Sequence, residues 1–258
     1  MAAIFEHLAT QLDPVGEDGE VLITREDPSQ TVCTLTTGGV QGGVSTMSIV
    51  WPCTISVECY LAAGREIEVT RPDCPACSQP MWFWSGYHRF IRICSDSVRL
   101  WVRRAWCDSC RKSHSLLPSF VLNRRLDVVG SIGLVLSAAG DATCGVRPAA
   151  EQAGVPHSTA RGWVRRLTER SADWAAGFSA LVVRLGGELV DLVGSGAQQT
   201  LTALRSAFAL TDPGRSAEHL WPFASLITGG GLLATNSNPP WLVVGNRRLI
   251  SPVPESPG

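Results

Sequence analysis

Two matched cysteine turns, Cys74-Pro75-Ala76-Cys77 and Cys107-Asp108-Ser109-Cys110, constrain this chain more than any other feature. A tetrahedral ion with four soft donors needs two such turns face to face, because each puts two sulfurs at bonding distance from a shared centre. The 29 residues between the turns can form two or three strands that fold back and bring them together. Pro75 favours the tight first turn, whereas Ser78 and Arg111 stand where a glycine often completes such a knuckle. The spacing predicts zinc on Cys74, Cys77, Cys107 and Cys110. Four thiolates close the coordination sphere, so the metal is expected to be structural. A redox dithiol fits less well, since two matched pairs are present without a thioredoxin-like βαβ pattern around either. His114, four residues past Cys110, could replace a thiolate but is expected to be an exposed polar residue, and Cys53, Cys59, Cys94 and Cys144 small buried apolar ones.

With 258 residues the chain is long enough for one medium domain or two to three small ones. No apolar run approaches the roughly 20 residues that cross a bilayer, and the start lacks a positively charged segment leading into an apolar core. The expectation is a cytoplasmic protein with no membrane partner, whose thiols stay reduced and available to metal. Charge is unevenly distributed. Residues 1–46 carry one arginine against seven acids, while residues 71–125 carry ten bases against three acids. A basic block on the cysteine-rich segment is the electrostatic footprint of a phosphate-backbone binder, or else a solvated basic face.

Residues 1–46 show little periodicity and read as disordered, or as an upstream extension of a true start at Met47. Residues 47–125 read as the zinc ribbon. Within it, Ile49 to Cys53 forms a strand, Ser56 to Ala63 a short helix stopped by Gly64, and Ile67 to Thr70 another strand. Met81 to Trp84, Tyr87 to Ile93 and Val98 to Trp106 then form a three-stranded antiparallel sheet, broken at Ser85-Gly86 and Ser95 to Ser97. Leu116, Leu117, Pro118 and Phe120 make an apolar exit segment ahead of Arg124-Arg125.

Residues 126–171 switch to helical periodicity. A first helix spans about Asp127 to Ala139, a second Val146 to Ala153 with Pro148 in its first turn, and Gly154 ends the second. The third runs from about His157 to Arg170, with Ala160, Trp163, Val164 and Leu167 as its core face. A short helix, a glycine turn and a longer helix describe a helix-turn-helix, whose second helix lies in the DNA major groove. Its outward face would carry His157, Ser158, Thr159, Arg161 and Arg165. Arg161 is the first candidate for a base contact, and Arg165, Arg166 and Arg170 for phosphates. A three-helix bundle that only packs would have the same pattern. On the sheet, Arg99, Trp101 and Arg103 share a face by alternation, and Arg103 and Arg104 are candidate backbone contacts. Trp101 could instead pack against Leu117 and Pro118. Residues 172–211 give two further helices, and 212–258 read as loop and flexible tail. The fold class is therefore α+β: a small antiparallel zinc ribbon, a helix-turn-helix domain and C-terminal helices.

The run Ile49-Val50-Trp51-Pro52-Cys53, the two cysteine pairs, Leu116-Leu117-Pro118-Ser119-Phe120, and Gly154-Val155-Pro156 leading to Ser158, Thr159 and Trp163 resemble a family of short actinobacterial proteins labelled a domain of unknown function. That family is similar in layout to the zinc-ribbon and helix-turn-helix front end of insertion-sequence transposases, and its members often lie beside integrase or transposase genes. The resemblance covers about residues 47–170, with Asn123 where proline is expected before the basic pair. It implies a zinc-stabilised protein that binds double-stranded DNA, with a separately encoded recombinase or transposase as partner.

No enzyme is expected. Only 88 residues follow Arg170, too few for an RNase-H-like nuclease domain, and no strand-borne acidic pair lies among them. Lys112 is the only lysine, and no phosphate-cradling glycine loop precedes it. The leading function is an accessory factor of a mobile element or a transcriptional regulator. The alternatives are a protein-interaction adaptor for a recombinase or polymerase, and a non-catalytic transposase remnant.

Overall fold

The computed structural model describes residues 47–211 and 216–234. The expected extension over 1–46, with its alternative start, and most of the expected tail lie outside the described residues. Three consecutive strands, β2 (Trp82–Ile93), β3 (Asp96–Cys107) and β4 (Lys112–Pro118), pair antiparallel, and β1 (Met47–Trp51) joins β4 in parallel. The sheet order is β1-β4-β3-β2. It is a four-stranded mixed sheet, where a three-stranded antiparallel one was expected.

Each departure has a physical reason. Ser85-Gly86 does not end a strand. The register shifts between Phe83 and Ser85, so Trp84 is an extra residue on β2, and the strand continues past it. Gly86 lies inside the strand because the Trp101 ring covers it, with a ring carbon 2.2 Å from where a Cβ would stand. The exit segment is β4, an inner strand flanked by β1 and β3. Ile67 to Thr70 pairs with no strand. The β2–β3 hairpin turns at Cys94-Ser95, with Cys94 at φ 53°.

β3 buries both of its faces. Leu100 and Val102 point to one side and Ala105 and Cys107 to the other, all fully buried. The helices are α1 (Val57–Ala63), α2 (Val129–Gly140), α3 (Val146–Gln152), α4 (His157–Glu169), α5 (Ser171–Arg184), α6 (Gly196–Thr211) and α7 (Leu220–Ile227). The first side joins their apolar cluster, whereas the turn that follows α1 meets Trp101 and Arg103, which alternation places on the second side. In α1 the Ser56 side chain accepts from the Cys59 N–H, and Gly64 at φ 51° ends the helix. One apolar cluster runs from Val50, Ile91, Leu100 and Leu117 through Ile132, Leu136, Trp163 and Leu167 to Trp174, Phe178, Leu201, Phe208 and Trp221. It crosses the expected boundaries at 125/126 and 171/172. Arg92 spans the first of these with a two-pronged pair to buried Asp127, at 2.6 and 3.0 Å.

The segment after Thr211 differs from expectation where it is described. Leu220, Trp221, Phe223, Ala224 and Ile227 of α7 are buried. Two turns are too short for periodicity to register, and Pro222 with Gly229 to Gly231 reads as loop composition. The chain then returns to the sheet. The Ser225 hydroxyl donates to the Val121 carbonyl at 2.7 Å, and the Asn123 N–H donates to the Gly230 carbonyl at 2.9 Å. Trp221 fits against α2 because residue 133 has no side chain, its ring lying 2.1 Å from where a Cβ would stand. None of the described helices is long and apolar enough to cross a membrane. Gly133→Ala is expected to displace Trp221 and destabilise the fold by about 1–3 kcal/mol, visible as a lower thermal midpoint.

Candidate metal centre

The ligand atoms of Cys74, Cys77, Cys107 and Cys110 all lie within 4.8 Å of one another. The Cys74 and Cys110 sulfurs are 3.8 Å apart, and those of Cys77 and Cys107 3.5 Å. A tetrahedron with Zn–S bonds of about 2.3 Å has edges of about 3.8 Å, so the donor set fits a metal ion of that size. A disulfide would bring two sulfurs to about 2.0 Å.

The two knuckles are built alike. Ala76 N–H donates to the Cys74 sulfur at 3.3 Å, and Cys110 N–H to the Cys107 sulfur at 3.4 Å. The residue after each pair, Ser78 or Arg111, takes a left-handed backbone with φ 57° and 53°. The glycine position is thus present in shape without the glycine, at a steric cost of about 1–2 kcal/mol per residue. In the first knuckle Ser78 N–H donates to the Cys74 carbonyl and Cys74 N–H to the Gln79 carbonyl, both at 2.8 Å. These bonds hold the turn.

Among themselves the thiols share protons unequally. The backbone at Gln79, followed by a hydrogen bond with Cys110, lowers the Cys77 thiol to about 7. The hydrogen bond with Cys77, then burial, pushes Cys110 up to about 12. One thiolate forms readily and further ones are resisted by it, which is the charge problem a divalent cation resolves.

Sequence reading missed three side chains at the centre. His114 is fully buried, not exposed, and its Nε2 lies 3.9 Å from the Cys74 sulfur. It pairs with Ala105 and so shares the sheet face of Cys107. With its proton on Nε2 it donates to that sulfur, as outer residues around metal sites do. Asp108, inside the second knuckle, accepts from the indole N–H groups of Trp82 at 2.6 Å and Trp106 at 3.0 Å. Buried Ser113 accepts from the Trp84 indole at 3.3 Å. The remaining described cysteines also differ from expectation. Cys59, Cys94 and Cys144 are exposed and Cys53 is half-buried: Cys59 is on the outer side of α1, Cys94 in the hairpin turn and Cys144 in the bend before α3.

The helical candidates are laid out as follows. Ala160, Trp163 and Leu167 of α4 are buried, whereas Val164 only half-buries beside a shallow hollow that Val146, Arg161 and Arg165 also line. His157, Ser158, Arg161 and Arg165 are exposed, and Thr159 is half-buried. Arg165 lies 3.7 Å from Glu169, and Arg166 donates to the Gly162 carbonyl at 3.1 Å. Arg170 donates to the Ala234 carbonyl and lies over the Trp174 ring. Gly154, at φ 65°, separates α3 from α4 and meets the Cys94 backbone, 3.0 Å from where a Cβ would stand. The tip of the β2–β3 hairpin therefore rests on that turn.

The sheet arginines have internal partners. Arg103 donates to the carbonyls of Arg65 and Ile67 at 2.7 and 3.2 Å. Arg104 lies over the Trp84 ring at 5.4 Å. Trp101 is half-buried against the large apolar cluster, of which Leu117 is a member. It lies over Gly86, with Arg65 at 4.7 Å and His88 at 5.0 Å against its ring.

The family described as Domain of unknown function (DUF6431) matches residues 74–163. The match begins on the first cysteine of the centre and ends on the buried tryptophan of α4, so it takes in β2 to β4, α2 and α3. Neither the curated proteins nor the solved structures contain a match to the chain.

Cys107→Ser is expected to abolish stoichiometric metal uptake, read as zinc per chain. Ser78→Val, which puts a β-branched residue at φ 57°, is expected to weaken it. Since zinc displaces protons from these thiols, affinity should fall as pH drops from 8, because Cys107 and Cys110 are already protonated there, and more steeply below about 7, where Cys77 protonates too. Competition with a chelator at pH 8 and pH 6 measures the difference.

Proposed function

We propose that the chain is a zinc-stabilised DNA-binding protein in which Cys74, Cys77, Cys107 and Cys110 hold the metal and α4 meets double-stranded DNA. Bound zinc would supply cohesion only, because four thiolates leave it no open position. The observation that carries the reading is the two-sidedness of α4. Its inner face, Ala160, Trp163 and Leu167, is at most 2% exposed, while His157, Ser158 and Arg161 at its start stand in solvent. A helix anchored on one side and polar at its N-terminal end on the other suits insertion into the major groove. Arg161 would pair with a guanine edge, and His157, Ser158 and Thr159 would reach base edges or phosphates. Arg165 and the free side of Arg166 would meet the backbone. Arg103 contributes less to such a surface than its sequence position implies, since its guanidinium already serves two carbonyls.

The biological setting that suits this reading is a cytoplasmic factor of a mobile element, acting as accessory to a separately encoded recombinase or as regulator of its expression. A second reading, an adaptor that docks a partner protein, draws on the exposed apolar residues of the C-terminal half. Leu189 is 81% and Val193 71% exposed, on the segment between α5 and α6. The two readings draw on different residues, so substitutions separate them.

Selection of genomic fragments by the zinc-loaded chain is expected to return a defined duplex motif, with affinity falling steeply with salt as phosphates release counterions. Arg161→Ala should cost about 1–3 kcal/mol and relax preference at one position of that motif. Binding that ignores salt, or no enrichment, would remove the DNA reading and leave the adaptor.

A further inference from the structure

A second surface stands at the metal end of the sheet, away from α4. By alternation Arg104 and Trp106 of β3 lie on the sheet face that Leu100 and Val102 turn to the helices lower down. Here no helix among the described residues covers it. Trp82, paired directly with Trp106, is 54% exposed, and Trp84 at the bulge is 55% exposed. Trp84 and Trp106 meet edge-on, with ring centroids 6.0 Å apart.

These indoles are held, not loose. Both oxygens of Asp108 are taken by the Trp82 and Trp106 N–H groups, and Ser113 takes the N–H of Trp84. Every indole donor is satisfied inside the protein, so what the site offers outward is ring face alone. Two arginines stand beside it. Arg104 stands against Trp84, and its buried Nε has no hydrogen bond among the described residues. Arg111, next to the second knuckle, is exposed, and the Asp108 carboxylate is already engaged by two donors; Asp73, beside the first knuckle, is exposed as well.

We propose that Trp82, Trp84 and Trp106, with Arg104 and Arg111, form a stacking platform for unpaired bases of single-stranded DNA. Fixed aromatic faces beside cations match a ligand with flat π surfaces and a negative backbone. Bases in a duplex are already stacked on each other and cannot use the faces, so the platform selects unpaired strands. A proline-rich peptide also stacks on tryptophan but brings no negative charge to meet the arginines. Because Asp108 belongs to the Cys107–Cys110 knuckle, the metal centre sets the orientation of two of the three rings. The choice of DNA as the nucleic acid rests on the reading of α4 given above; the platform itself does not.

The test is quenching of intrinsic tryptophan fluorescence in the zinc-supplemented full chain, titrated with a 12-nucleotide oligo(dT) at several salt concentrations. Saturable, salt-sensitive quenching is expected. Trp84→Leu should weaken it about tenfold or more, while Trp84→Phe, which keeps a ring face, retains most of the binding. Both variants replace an exposed ring by an apolar residue, so equal thermal midpoints would exclude misfolding as the cause. Absence of quenching, unchanged affinity in Trp84→Leu, or binding of a proline-rich peptide in place of the oligonucleotide overturns the platform. Tighter binding of oligo(rU) than oligo(dT) overturns the choice of DNA. Quenching without duplex binding supports the platform and removes the α4 reading; duplex binding without quenching does the reverse.

Discussion

The structure depends on β3 having to bury two faces with unequal means. On one side the helices supply a large apolar cover for Leu100 and Val102. On the other, Ala105 and Cys107 share a cluster of five buried residues with Cys74, Met81 and Leu116. A cluster that small does not hold two cysteine knuckles in place by area alone. Two of its five members are thiols, and their partners Cys77 and Cys110 pack at its rim. The cohesion missing from apolar burial is what metal–thiolate bonds would provide, which is why the knuckles sit on this side of the sheet.

Much of this was legible in the residues. The cysteine spacing located the centre, because a tetrahedral donor set leaves a mark on sequence that does not depend on the rest of the fold. The helices were legible for a similar reason: Val129, Ile132 and Leu136, or Ala160, Trp163 and Leu167, repeat at the helical period and are buried. What was lost was non-local. β4 looks like an apolar exit until β1 is known to pair with it, and its alternation decides that His114 faces the sulfurs. Gly86 reads as a breaker unless Trp101 is known to lie across it. The knuckle shape at Ser78 and Arg111 was also hidden, since residues other than glycine rarely take that backbone.

The basic block illustrates how charge counts mislead. Ten bases between residues 71 and 125 suggest a phosphate surface. In the fold Arg92 pairs with Asp127, Arg89 donates to the Arg125 carbonyl, Arg125 to the Leu233 carbonyl, and Arg103 to Arg65 and Ile67. Apart from Arg92, whose partner is a carboxylate, these guanidiniums tie connecting segments together by satisfying backbone oxygens. The positive charge left for a ligand is smaller than the sequence implies and is distributed over separate surfaces.

The parallel pairing of β1 with β4 has a consequence for the order of assembly. β2 and β3 are joined by a two-residue turn and can zip locally, and both cysteine knuckles flank that hairpin. β1 precedes all of them in the chain, yet its partner strand is made last. During synthesis β1 must therefore wait, unpaired, until β4 has emerged from the ribosome. β1 then docks onto a template already fixed, closing the edge of the sheet as a late step.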